Sequence, residues 1–256
     1  RRQRQMCIRD RSTNYHSSYN KDSYNTSYSS APELVSYASE SERAVFYRKT
    51  YTHVALALLA FIIAETALIR FVPEELILSM FGGKYIWLFI IGGFWLGSML
   101  AQKWAHSLNR TTQYVGLGLY VLLESIIFLP LIYIALAYTG TEVISQAAIV
   151  TLALFAGLTA VVFMTRLDFS FLRTILVIGG FLSLGLIVAG ALFGFELGLW
   201  FSVGMVVLAA GGILYQTYNI KNEYTTDQYV GAALLLFSSV MLLFWYILRI
   251  LLSRRD

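Results

Sequence analysis

The chain contains seven apolar stretches between about Tyr51 and Leu252, and each is long enough to cross a lipid bilayer. The hydrocarbon core of a bilayer is about 30 Å thick, a distance that roughly 20 helical residues span. Because a backbone inside hydrocarbon must satisfy its own hydrogen bonds, these stretches are predicted to be helices. The stretches are 51–71, 85–102, 114–138, 146–164, 174–194, 198–218 and 230–252. The sequence therefore predicts an all-α membrane protein, a bundle of seven transmembrane helices.

The scarcity of charged residues supports this assignment. Hydrophobic residues make up 57% of the chain and charged residues 13%, about half the proportion of charge in a typical soluble domain. The lipid bilayer is therefore the predicted solvent of the apolar surface. Lys and Arg are not clustered into the basic patch that nucleic acid requires, so a nucleic-acid partner is not expected. The single cysteine, Cys7, excludes an internal disulfide and a thiolate metal cluster.

The N-terminal part of the chain has a different composition. Residues 12–38 are rich in Ser, Tyr and Asn and cannot bury enough apolar surface to offset the entropy lost on ordering. Residues 1–11 begin without Met and resemble nothing that follows; they are interpreted as a sequencing or cloning artefact, with a short basic membrane-surface tag as the alternative. The predicted division is a disordered tail over 1–42, the transmembrane domain over 43–252 and a short C-terminal tail over 253–256.

Two pairs of residues have the spacing of a helix N-terminal capping box. Ser39 and Glu42 precede the first apolar stretch, and Thr225 and Gln228 precede the last. In this motif the two side chains each bond the other residue's backbone N–H, which favours a helix start. Helices are therefore expected to begin near both pairs.

The distribution of Lys and Arg gives the orientation, because loops rich in these residues stay in the cytoplasm. They are concentrated before the first stretch and between stretches 2 and 3, 4 and 5, and 6 and 7. The N-terminus is therefore predicted to be cytoplasmic. Arg254 and Arg255 are the exception, since seven spans place them outside. A full seventh span is preferred because residues 230–252 are long and nearly uncharged, and a re-entrant last segment is the alternative.

Two glutamates are candidate functional residues. Glu65 lies in the outer part of the first stretch and Glu124 near the middle of the third. An ionised carboxylate at such a depth costs several kcal/mol, so each is expected to face the bundle interior, to find a partner or to stay protonated. The functional interpretation is a proton- or cation-responsive site, and the structural one is a neutral glutamate that ties helices together.

A second group of polar residues lies near the cytoplasmic face. Tyr215 and Gln216 are at the cytoplasmic end of the sixth stretch, and Ser238 and Ser239 lie about two turns inside the seventh. They are interpreted as the lining of a polar pathway, and hydrogen bonding between helices is the alternative.

No enzyme motif is present in the sequence. It lacks a P-loop, an H-E-x-x-H and a G-x-S-x-G motif. His53 and His106 have no second ligand at the spacing of a metal site. We therefore expect neither an enzyme nor a cofactor or bound metal.

Four segments resemble the Bax inhibitor-1 family, and its bacterial YccA-like branch in particular. They are the stretch from Phe46 to Ala67, Gly-Leu-Tyr-Val-Leu-Leu-Glu-Ser over 118–125, Ile-Leu-Tyr-Gln-Thr-Tyr-Asn-Ile over 213–220, and Thr-Asp-Gln-Tyr over 226–229. The resemblance covers residues 43–252, and the 213–220 segment is the most specific part.

The resemblance implies a seven-helix bundle whose last helix is surrounded by the others. It also implies a pH-sensitive calcium leak and, for the YccA-like branch, location in the bacterial inner membrane and modulation of the membrane protease FtsH, which engages the cytoplasmic N-terminal tail. The predicted disordered tail suits that role.

The chain departs from the family at the pH sensor. Members with calcium-leak activity carry an aspartate on each of the last two helices, and the pair shares a proton. The matching positions here are Gln216 and Ser239. Neither side chain titrates, so this pair can close a gate by hydrogen bonding but cannot report pH. The resemblance therefore implies a slow cation leak, calcium included, in which Gln216 and Ser239 replace the usual pH sensor near the gate and Glu124 is the internal acid.

Overall fold

The computed structural model describes residues 33–80, 84–107 and 109–254. Within these ranges lie eight α-helices: α1 (Glu40–Phe71), α2 (Glu74–Ser79), α3 (Lys84–Ala105), α4 (Arg110–Thr139), α5 (Thr141–Met164), α6 (Leu172–Phe193), α7 (Leu199–Asn222) and α8 (Tyr229–Ser253). Among the described residues, six of these helices are long and apolar enough to cross a membrane: α1, α4, α5, α6, α7 and α8. The all-helical membrane fold is confirmed, with six candidate spans.

Short connections make successive long helices alternate in direction. We call the side where α1 and α8 begin the N side, and the side where they end the far side. The six-residue helix α2, which the hydropathy pattern did not predict, lies in the far-side connection between α1 and α3. Pro73 ends α1, because the residue before a proline is driven out of the helical region and Val72 is extended.

The predicted capping box at the start of α1 is confirmed. Glu42 N–H donates to Ser39 Oγ (3.3 Å), and Ser39 N–H donates to Glu42 Oε2 (3.0 Å). Before α8 only half of the motif forms, with Thr225 N–H donating to Gln228 Oε1 (3.1 Å). Helix α8 instead begins after Gln228, whose side chain makes no capping bond.

Helix α8 is the central element of the bundle. It packs against α1, α3, α4, α5 and α7, in agreement with the arrangement that the family resemblance implies. Val230, Ala233, Leu234 and Phe237, all in its N-side half, are 0% exposed. The helix is continuous over 25 residues, which favours a full span over a re-entrant segment.

Helices α3 and α4 approach each other closely at Gly116. A Cβ atom at this position would lie 2.6 Å from the carbonyl oxygen of Ala101 and 2.6 Å from the amide nitrogen of Ala105. Lipid is as apolar as the helix surfaces, so helices in a membrane associate through close van der Waals contact at small residues. Gly116 supplies such a contact and fixes α4 against α3.

The described chain begins before the predicted domain boundary. Residues 1–32, most of the predicted tail, lie outside the described residues. Residues 33–42 have defined positions: Val35 N–H donates to the Tyr224 carbonyl (2.8 Å), and Thr226 N–H donates to the Glu33 carbonyl (3.0 Å). Val35 is fully buried, so an apolar side chain with paired backbone groups holds this segment to the loop before α8.

Candidate functional site

A cavity of about 950 Å³ occupies the far-side half of the bundle. Its walls come from α3, α4, α6, α7 and α8 and from the loop between α6 and α7. Along α8 it extends from Ser253 to Ser238, about 22 Å at the rise of an α-helix. Most of the lining is apolar, and the polar residues are Tyr120, Glu124, Glu196, Ser202, Ser238, Tyr246, Arg249 and Ser253.

The inner end of the cavity is formed by a polar cluster on α4 and α8. The Tyr120 hydroxyl donates to Ser238 Oγ (2.7 Å). Glu124 follows Tyr120 by one helical turn on the same face, and its carboxyl lies within hydrogen-bonding reach of the Tyr120 hydroxyl. Glu124 is only 5% exposed. The structure thus joins two predicted residues, Glu124 and Ser238, through a tyrosine.

The outer end of the cavity carries a positive charge. Arg249, near the end of α8, donates from Nη2 to the Leu197 carbonyl (2.8 Å) in the loop between α6 and α7. Glu196 in the same loop is exposed and also lines the cavity. A cation entering from the far side would pass both groups, and the guanidinium opposes its entry electrostatically while the exposed carboxylate partly offsets that repulsion.

Ser239 faces a different helix from Ser238, because adjacent helical residues point about 100° apart. Ser239 Oγ donates to the Leu235 carbonyl of its own helix (3.2 Å) and lies 3.2 Å from where a Cβ on Gly212 would be. Gln216 is one turn along α7 from Gly212, on the same face. Ser239 and Gln216 therefore belong to the contact between α7 and α8, outside the cavity lining.

Apolar packing closes the N-side half of this route. Between Ser238 and the start of α8 at Tyr229 lie about 14 Å of helix. Val230, Leu234 and Phe237 in that segment are 0% exposed. In this conformation the cavity therefore ends at the Tyr120–Ser238–Glu124 cluster.

Glu65 does not join the cluster. It is 4% exposed, and neither carboxyl oxygen has a hydrogen-bond partner among the described residues. The contact between the Phe61 and Phe128 rings (5.2 Å between centroids) sets the register of α1 and α4. Glu65 follows Phe61 by one helical turn, towards the far side, and Glu124 precedes Phe128 by one turn, towards the N side. The two glutamates are therefore separated by about 12 Å along the bundle axis. The two acids therefore do not form a pair.

Tyr215, the remaining predicted residue, lies near the N-side end of α7 and is half-buried. Of the eight polar residues of the cavity, the sequence interpretation singled out Glu124 and Ser238 and missed six. The six are Tyr120, Glu196, Ser202, Tyr246, Arg249 and Ser253. Arg249 carried a signal, since it is a charged residue inside the last apolar stretch. Tyr120 is four residues before Glu124, a spacing that places both on one face. Ser202 offered no comparable signal.

Comparison with known proteins agrees with the fold. The family model described as "Inhibitor of apoptosis-promoting Bax1" matches residues 43–256. An uncharacterised protein of Pseudomonas aeruginosa is 30% identical over 217 residues, which is 83% of this chain and 91% of that protein.

Two eukaryotic relatives extend the comparison. Protein LIFEGUARD 3 of Arabidopsis thaliana is 27% identical over 246 residues, covering 91% of this chain and 95% of the relative. Bax inhibitor 1 of Schizosaccharomyces pombe is 31% identical over 125 residues, covering 46% and 45%. The match of the family model over most of the chain, together with the multi-helix membrane fold, shows that this protein belongs to the Bax inhibitor-1 family.

Proposed function

We propose that this protein provides a slow pathway for cations, with calcium as the ion to test first, and that it is not an enzyme. The observation that supports the proposal best is the cavity that reaches the buried Glu124 from the far side of the bundle. A carboxyl oxygen and two hydroxyls at its inner end are oxygen ligands of the kind that hard cations prefer. Arg249 at the outer end opposes cation entry, which is consistent with a slow leak.

The proposed gate lies on the N side of this cluster. Gln216 and Ser239, on the contact between α7 and α8, occupy the positions of the acidic pair in the family resemblance. In the proposal, separation of α7 from α8 at Gly212 connects the cavity to the N side. Because Gln216 and Ser239 do not titrate, the pH-responsive group next to the proposed gate is Glu124, and Glu196 is a second carboxyl group at the outer end of the cavity.

Calcium flux into liposomes that contain the purified protein tests the pathway. We expect the wild-type protein to give measurable flux at some pH between about 5 and 8. Glu124→Gln should lower the flux several-fold or change its pH dependence, because the amide keeps the size of the side chain but loses the charge. Glu65→Gln is the matched control: it alters a second buried acid that lies outside the cavity lining, and the flux should stay at the wild-type level.

Two results would contradict the pathway. Absence of flux from wild-type protein across this pH range, with correct insertion verified, would eliminate a calcium leak. Equal flux profiles for wild-type and Glu124→Gln protein would show that Glu124 takes no part in conduction and only stabilises the contact between helices.

The alternative is a regulatory protein that binds and modulates the membrane protease FtsH without transporting ions. The segment 33–35 supports this alternative, because it is hydrogen-bonded to the loop before α8 on the N side. A protease that engages the residues before this segment would therefore exert force on that loop. Deleting residues 12–32, which leaves this contact intact, should abolish co-purification with FtsH and alter its turnover of substrates. Unchanged association would remove the support for this alternative.

The proposal includes a topology and a location. With α3 counted as a seventh span, the N side is cytoplasmic and α8 ends on the outer side. The proposed location is a bacterial inner membrane, supported by the bacterial relative that matches over 91% of its length; the YccA-like branch is proposed from the sequence resemblance alone. Labelling of single cysteines introduced at Glu33 and Glu196 in a protein that carries Cys7→Ser, one in each aqueous phase, tests the orientation. Labelling of both from the same side would contradict seven spans.

A further inference from the structure

We infer that Tyr51, Thr159 and Thr217 form an internal binding site for a water molecule, separate from the cavity. The three residues belong to α1, α5 and α7, and the Tyr51 hydroxyl lies beside the hydroxyls of Thr159 and Thr217. All three oxygens are buried, and none has a hydrogen-bond partner among the described residues. Three helices therefore present unpaired hydroxyls to one point.

The arrangement of the surrounding rings fixes the Tyr51 hydroxyl at this point. The Tyr51 ring contacts Phe155 and Phe163, each with 6.3 Å between ring centroids. Thr159 is four residues from both phenylalanines, so it lies on the same face of α5, between them. Thr217 on α7 is 0% exposed and closes the site from the other side.

Four other threonines of this protein satisfy their hydroxyls within their own helix, whereas Thr50, like Thr159 and Thr217, has no hydrogen-bond partner among the described residues. Thr66, Thr139, Thr151 and Thr165 each donate to the carbonyl four residues earlier, all at 2.7 Å. That bond is available to any threonine inside a helix. Thr159 lies two turns beyond Thr151 on the same helix, and neither it nor Thr217 makes the bond. Both hydroxyls lie beside the Tyr51 hydroxyl.

A water molecule matches the chemistry of the three hydroxyls. A buried hydroxyl without a partner destabilises the fold, and a water molecule can bridge neighbouring polar groups that do not bond one another directly. Three hydroxyls offer three donors and additional lone pairs, and a buried water typically makes about three hydrogen bonds. No carboxylate belongs to the cluster, so a cation would lack the compensating charge that burial demands.

The site lies in the N-side half of the bundle, opposite the cavity. Thr159 is five residues before the end of α5 and Thr217 five before the end of α7, about 7–8 Å from those ends. A bound water would join α1, α5 and α7 where the first and last parts of the chain meet. This role is independent of the proposed cation pathway, and it would persist if that pathway were disproved.

Thermal unfolding of valine variants tests the site, because the sign of the effect separates the two possibilities. If the hydroxyls hold a water, Thr159→Val and Thr217→Val each remove one of its ligands, and Tm should fall by about 2–4 °C. If the hydroxyls are simply unpaired, valine removes a buried polar group and Tm should rise. Thr151→Val is the matched control on α5, a buried threonine that bonds its own helix, and its Tm should be nearly unchanged.

A second measurement does not depend on any variant. A structure of the wild-type protein in nanodiscs, at a resolution that shows ordered water, should contain density within hydrogen-bonding distance of all three hydroxyls. Absence of that density, or a higher Tm for Thr159→Val and Thr217→Val than for Thr151→Val, would overturn the inference.

Discussion

Replacement of Gly116 by alanine tests whether direct backbone contact holds α3 against α4. The new Cβ would lie 2.6 Å from Ala101 O and Ala105 N and 2.9 Å from Trp104 Cβ. Two of these atoms belong to the backbone of α3 and cannot rotate away. An ordinary contact begins at about 3.4 Å, so the helices must separate locally by about 0.8 Å. Overpacking of this kind costs about 1–3 kcal/mol.

Gly118→Ala on the same helix is the control, because a Cβ there has no atom within 4 Å. Both variants gain the helix propensity of alanine, about 0.5–1 kcal/mol, so their difference isolates the steric cost. We expect the free energy of unfolding of Gly116→Ala to be about 1–3 kcal/mol below that of Gly118→Ala. Reversible unfolding in mixed micelles measures it. Equal stabilities would refute the close approach of α3 and α4.

Two further predictions concern the ends of helices. Ser39→Ala should lower the free energy of unfolding by about 0.5–2 kcal/mol, because it removes the N-cap of α1; Ser39→Thr, which keeps the capping hydroxyl, should retain most of the stability in the same assay. Between α5 and α6, the Ser170 N–H donates to the Asp168 carboxylate (2.8 Å) and lowers the pKa of that carboxyl below its usual value. Asp168 therefore contributes stability above the ordinary aspartate pKa and loses it as the pH falls through the lower folded pKa. Tm measured across the acid range should fall less steeply for Asp168→Asn than for the wild type, and parallel profiles would contradict the assignment.

The sequence predicted the helices well because hydropathy is a property of consecutive residues. The stretch 230–252 became α8 over Tyr229–Ser253, and 85–102 became α3 over Lys84–Ala105. Most differences lie at helix ends, where polar residues extend a helix beyond its apolar part. The longest extension is in α1, which begins at Glu40 because the capping box of Ser39 starts the helix eleven residues before the predicted span.

The candidate site was harder to predict because its members lie far apart in the chain. Glu124 and Ser238 were both singled out, but the residue that joins them, Tyr120, is 118 positions from Ser238. These helices are apolar on nearly every face, so their periodicity does not reveal which face is buried. The sequence could therefore not distinguish Ser238, which faces α4, from Ser239, which faces α7.

By itself, the sequence determined that this chain is a multi-helix membrane protein, where its helices lie and which few polar residues they carry. These three properties can be read from consecutive residues, because the hydropathy of a local segment decides whether lipid can solvate it. The tertiary structure decided which polar residues meet: Glu124 lies with Tyr120 and Ser238 at the cavity, Ser239 lies beside Gly212, and Glu65 has no hydrogen-bond partner among the described residues. Those contacts depend on how helices rotate and approach one another, which is set by packing at small residues such as Gly116 and not by the hydropathy of any one segment.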